Sequence, residues 1–141
     1  MSLSFGRYVS LLILPAEGVI ERTIEVNESL TVNNITFTLE RVELTATEAR
    51  FYASNTPPKD YKPKRPQSLP PPKGYDAIAE YRLDNGPVKK AGTSGVRYLL
   101  NGMEHIWDML DPVPKGTKEI TFVITELGDW EGPWEFRVPL D

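Results

Sequence analysis

The chain has 141 residues, of which 40% are hydrophobic, and 16 basic and 20 acidic residues mix along it to give a net charge of −4. This is the length of one domain, enough to bury about two-thirds of the unfolded surface around a single core. The lack of cysteine excludes a disulfide framework, a thiolate zinc site and a thiol nucleophile, and the mixed, mildly acidic charge gives no electrostatic footprint for nucleic acid.

In chain order, the first apolar run is YVSLLILP at residues 8–15. It is too short to span a bilayer and has no small-residue cleavage site of a signal peptide. The chain as given is expected to be soluble, and its arbitrary-looking Met1-Ser2-Leu3 start suits a segment of a longer, membrane-anchored protein. Beyond it the dominant period is two. Ile20, Ile24 and Val26 share parity, and so do Ile35, Phe37 and Leu39. The apolar phase then moves to Val42 and Leu44, which predicts a β-bulge near Glu40 and Arg41. EARFYAS is the next short strand.

Residues 57–74 break the pattern. They hold seven of the 13 prolines and five basic residues, Lys59, Lys62, Lys64, Arg65 and Lys73. Proline cannot donate to a sheet ladder, so no central strand accepts this stretch. It is predicted to be a long, extended, solvated connection.

Alternation resumes with Ala77, Ala79, Tyr81 and Leu83, and VRYLL follows. Residues 102–112 read as a short helical turn, with Met103, Trp107 and Leu110 on one side and Pro112 and Pro114 ending it. Ile120, Phe122 and Ile124 mark another strand. Trp134, Phe136, Val138 and Leu140 mark the last, with Glu135 and Arg137 outward. Turn clusters stand at Asn33-Asn34, Asn85-Gly86-Pro87, residues 92–95, Lys115-Gly116 and residues 128–133, where Gly132-Pro133 is expected to make the corner. About seven to nine short strands with such punctuation predict an all-β antiparallel sandwich over residues 1–141, a single domain.

Catalytic constellations are thin. His105 stands between Glu104 and Asp108, but a single histidine does not make a typical zinc site, and it reads as a polar residue of a surface turn. Asp129 and Glu131 share one tight turn and Glu135 points outward, an arrangement unlike the facing carboxylates of a glycosidase. GTSG at residues 92–95 is a flexible turn and not a nucleophile elbow, and no Walker or dinucleotide fingerprint is present. Asn27-Glu28-Ser29 and Asn34-Ile35-Thr36 match glycosylation acceptors and read as turns. Pro63 and Pro66 form a Pro-x-x-Pro step, but Asp60 stands where an SH3 ligand wants a base. Trp130 and Trp134 raise a carbohydrate-stacking platform as the alternative reading; the inward parity of Trp134 argues for core, while Trp130, in the preceding turn, suits either place.

Three stretches carry a resemblance: IEVNESLTVNNITFTLERVELTATEARFYA, LDPVPKGTKEITFVITEL and GPWEFRVPL. Together they resemble immunoglobulin-like domains of unknown function from the extracytoplasmic part of bacterial single-span, anti-sigma-factor-like proteins. The resemblance covers residues 19–141 apart from the proline-rich stretch. It implies an immunoglobulin-like sandwich and a non-enzymatic binding or spacer module outside the cytoplasm, although a cysteine-free chain also suits the cytosol. It brings no catalytic residues and no cofactor. The partner surface expected from the sequence is Lys59, Lys62, Lys64, Arg65, Lys73 and Trp130, facing a protein or an anionic cell-wall ligand.

Overall fold

The computed structural model describes residues 18–57 and 76–140. Within them the regular elements are strands: β1 (Arg22–Val32), β2 (Ile35–Leu44), β3 (Ala49–Asn55), β4 (Ala77–Leu83), β5 (Lys89–Lys90), β6 (Gly92–Leu99), β7 (Gly102–Met109), β8 (Glu119–Leu127) and β9 (Trp130–Pro139). They pair antiparallel in two sheets, β1-β2-β3-β7-β6 and β5-β4-β8-β9. Among the described residues no helix is long and apolar enough to cross a membrane.

The strand order identifies the topology. An immunoglobulin sandwich packs strands A-B-E-D on C-F-G, often with C′ beside C. Here β2-β3-β7-β6 fall in the order A-B-E-D and β5-β4-β8-β9 in the order C′-C-F-G, with β1 added outside A. The chain changes sheet at β3–β4, at β5–β6 through Ala91 alone, and at β7–β8. The fold is the all-β antiparallel sandwich expected from alternation and turn spacing, in the immunoglobulin-like form that the resemblance implied. It forms without the inter-sheet disulfide of antibody domains, because the chain has no cysteine.

The two inner faces are the alternating apolar sets. Phe37, Phe51, Trp107, Phe122, Trp134 and Phe136 are wholly buried. Phe51 stacks on Phe122 with centroids 4.3 Å apart, and Trp107 meets Phe122 edge-on at 5.2 Å. Fully burying each such side chain is worth about 1.5–3 kcal/mol from area alone. The phase shift in β2 is a bulge: Leu39 pairs with Ala53 and Arg41 with Tyr52, which leaves Glu40 as the extra residue. It lets Leu39 and Val42 both face the core.

Several elements differ from the sequence expectation. Residues 102–112 hold no helical turn: Gly102–Met109 is strand β7, with Met103, His105, Trp107 and Met109 buried and Leu110 78% exposed. Between β3 and β6, both sides of that backbone find sheet partners, and the period-two apolar set outweighs the helical spacing of Met103, Trp107 and Leu110. Residues 92–95 are the start of β6, with a bulge at Ser94, rather than a free turn. The β8–β9 turn is Gly128-Asp129, and Gly132-Pro133 lies inside β9, bulged where the register steps from Glu126↔Glu131 to Ile124↔Trp134. Asn27 sits at a bulge of β1 with φ 48°, whereas Asn34 is a turn residue.

Candidate functional site

One end of the sandwich gathers four connections. The β1–β2 turn, Asn33-Asn34, has both residues at positive φ (54° and 62°), the conformation of a two-residue hairpin turn that asparagine tolerates. Its Asn33 Nδ2 donates to the Glu131 carbonyl at 2.6 Å, which ties this turn to the start of β9. The β6–β7 turn, Leu100-Asn101, carries the most exposed large apolar side chain of the described residues, Leu100 at 82%. The β8–β9 turn is Gly128-Asp129, where Gly128 has φ 57°. The fourth connection joins β3 to β4 and contains residues 58–75. Its two ends are fixed here. Thr56 exchanges bonds with Thr36, N to O at 2.9 Å and Oγ1 from N at 2.9 Å, and the Asp76 carbonyl accepts from Gly128 N at 2.8 Å.

The candidates Lys59, Lys62, Lys64, Arg65 and Lys73 lie outside the described residues, and the expectation that their proline-rich stretch is an extended, solvated connection falls there too. Trp130 is described. It opens β9, is partly buried against the core, and pairs in register with Leu127. It therefore stands at the same end as the two roots of the basic segment. Exposed Asp76, Asp129 and Glu131 give the described part of this end an acidic rim.

Below that rim lies His105. The sequence placed it in a surface turn; it is instead 1% exposed, on the inward face of β7. Its ring stacks on Trp107 at 5.3 Å and tilts against Phe37 at 5.8 Å. Asn55 Nδ2 donates to the Thr56 carbonyl at 2.7 Å, which aims Asn55 Oδ1 at the ring. That oxygen only accepts, so His105 Nε2, 2.8 Å away, carries the proton. Burial lowers the His105 pKa to about 4, and the ring is neutral at physiological pH. The pair fixes the exit of β3 toward residues 58–75. Gly102 closes over the same exit with φ 140°; a Cβ there would fall 1.8 Å from the Asn55 carbonyl oxygen.

The acids expected near His105 face the other way. Glu104 pairs with Arg97 at 2.8 Å on the outer face of the sheet, and Asp108 lies 3.2 Å from Arg50. The Arg50 N–H is not directed along that contact, because Asp108 Oδ1 accepts no hydrogen bond. Glu135 pairs with Arg137 at 3.2 Å on the solvent side of β9. Among the described residues no three histidine or acidic side chains group as metal ligands. A sugar platform needs exposed coplanar rings, and Trp107 and Trp134 are both 0% exposed. Tyr52, on the outer face, has the Arg41 guanidinium 3.8 Å over its ring and donates to Glu43 at 2.9 Å. The Tyr52 bond holds the Glu43 carboxyl below its usual pKa.

The His105–Asn55 bond spans 50 residues of sequence, and no local pattern announces it. The alternation Met103, His105, Trp107, Met109 was the one signal that the histidine is inward. No family model matches the chain, and neither a curated protein nor a solved structure matches it.

Proposed function

We propose that this chain is a non-enzymatic binding or spacer module that engages its partner with the end of the sandwich just described. The observation that supports this reading is the convergence of the β1–β2, β3–β4, β6–β7 and β8–β9 connections at one end, with the roots of the basic segment at the same end as Trp130. Loops held on a rigid sandwich are the common recognition device of such folds. The sequence resemblance favours an extracytoplasmic setting in a bacterial envelope protein, as the sensing part of a membrane-anchored, anti-sigma-like parent. The chemistry of Lys59, Lys62, Lys64, Arg65 and Lys73 suits an anionic protein or cell-wall polymer.

Co-sedimentation with purified bacterial cell-wall sacculi tests the reading. The wild-type chain is expected to pellet at low salt and to be released by about 0.5 M salt, where screening is nearly complete beyond a few ångströms. Replacing the five basic residues by serine is expected to weaken the retention at least about tenfold, or about 1.4 kcal/mol. Retention equal to wild type in that variant, or none in the wild type, overturns the anionic-partner reading.

A further inference from the structure

At the opposite end, where β4 turns into β5 and β7 runs out, a cleft of about 130 Å³ opens between the sheets. Tyr81, Leu83 and Met109 line it, with Pro87, Lys89 and Asp111 beside them. Pockets for cofactors and metabolites run to about 300–1,000 Å³. A space of about 150 Å³ takes a molecule the size of benzene. This one therefore suits a single apolar side chain. Two exposed apolar residues stand at its border: Leu110, 78% exposed, between Met109 and Asp111, and Val88, 59% exposed, between Pro87 and Lys89. The sole described ion pair here is loose. Lys89 Nζ is 3.8 Å from Asp111 Oδ2, and their side chains are 53% and 70% exposed.

We propose that this surface joins two copies of the chain about a two-fold axis, each Leu110 entering the cleft of the other copy. A two-fold interface must be self-complementary, because the same patch faces itself. This patch has the required parts: a knob beside a hole of side-chain size, and a positive and a negative side chain flanking the apolar strip. The two-fold sets Lys89 of each copy against Asp111 of the second copy, and two solvated 3.8 Å pairs are exchanged for two across the interface. A foreign segment of a single charge sign satisfies only one of the two. β5 has only Lys89 and Lys90, so edge-to-edge strand pairing is too short to hold the contact, and paired lysines guard that edge. The contact rests on side chains, covers a small area, and is weak and concentration-dependent.

Sedimentation equilibrium from about 10 μM to about 1 mM, the range that resolves weak affinities, is the experiment. The average mass of the wild type is expected to rise from 15.9 kDa toward twice that value. Leu110→Asp, at a side chain already 78% exposed, is expected to keep the circular dichroism spectrum and to stay at one chain mass throughout. Lys89→Glu and Asp111→Lys each place like charges across the axis and are expected to stay monomeric. Their equimolar mixture restores opposite charges at both contacts and is expected to regain the wild-type mass. A wild type that stays monomeric at 1 mM overturns the proposal. So does association that survives Leu110→Asp, or a mixture of the two charge variants that fails to associate.

Discussion

The indole Nε1 of Trp134 donates to the backbone carbonyl of Ile35 across the sandwich at 2.9 Å. Trp134 belongs to β9 in one sheet and Ile35 to β2 in the other. A second bond runs the opposite way: Trp107 of β7 donates to the Ala77 carbonyl of β4 at 3.2 Å. Each sheet thus sends one tryptophan into the other and satisfies its only polar atom on the far backbone. Phe37 packs edge-on to Trp134 at 4.8 Å and fills the space beside it. These two links take the place that a disulfide holds between the sheets of antibody domains.

Trp134→Ala is expected to cost about 3–5 kcal/mol, since it empties a fully buried aromatic site. Trp134→Phe keeps most of the volume and removes the bond to Ile35, so its cost should be nearer 1 kcal/mol plus a smaller packing loss. Urea denaturation of both variants separates the two contributions. A cost below about 1 kcal/mol for the alanine variant would show that the ring is not core.

Gly102 and Gly116 both adopt positive φ, 140° and 95°, but only Gly102 approaches another backbone. Gly116→Ala, with nothing within 4 Å, should cost about 1–2 kcal/mol of conformational strain. In Gly102→Ala the new methyl meets the Asn55 carbonyl, so the β6–β7 hairpin must shift off the exit of β3. A loss of roughly 2–4 kcal/mol is expected, with the His105 ring resonances displaced. Equal costs for the two variants would mean that close approach plays no part at Gly102.

Replacing residues 58–73 by a short Gly-Ser linker should change stability by less than about 1 kcal/mol, because loop-closure entropy varies slowly with length. The roots of that connection are held independently, by Thr36 at one end and Gly128 at the other. Thermal unfolding of the shortened chain decides. A large fall in the midpoint would show that residues 58–73 contribute to the folded core.

Period-two alternation carried most of the fold. Phe37, Phe122, Trp134 and Phe136 lie inward as their parity required, and the phase change after Leu39 marked a true bulge. The reading failed where two periods coexist. In GMEHIWDML the helical set Met103, Trp107, Leu110 and the strand set Met103, His105, Trp107, Met109 overlap. Only the neighbouring strands β3 and β6 decide between them. Gly132-Pro133 misled for another reason. Proline excludes a regular ladder position but not a bulge, and β9 holds it in one. At the candidate site, Trp130 was legible as a residue beside a turn. That the roots of residues 58–75 share its end of the sandwich was not, because this depends on strand order and not on local pattern.

His105 supplies a pH test of the buried pair. Its folded-state pKa is lowered to about 4 by burial, against about 6.5 in an unfolded chain. Between those values the unfolded chain takes up a proton and the folded one does not. The contribution to stability is therefore fully present above about pH 6.5 and is lost as the pH falls toward 4. Over that window it amounts to about 3 kcal/mol. The described partners of the ring are Phe37, Trp107 and Asn55, and Glu104 and Asp108 point to the opposite face, so no nearby carboxylate offsets the new charge. His105→Gln keeps a donor for Asn55 Oδ1 and cannot titrate. Urea denaturation of both proteins from pH 7.5 to pH 4.5 subtracts the shared contribution of the surface carboxylates. The wild type is expected to lose roughly 2–3 kcal/mol more than the variant over that range. Parallel curves would mean that the ring accepts its proton in the folded state, and that the packing between Phe37 and Trp107 does not hold it neutral.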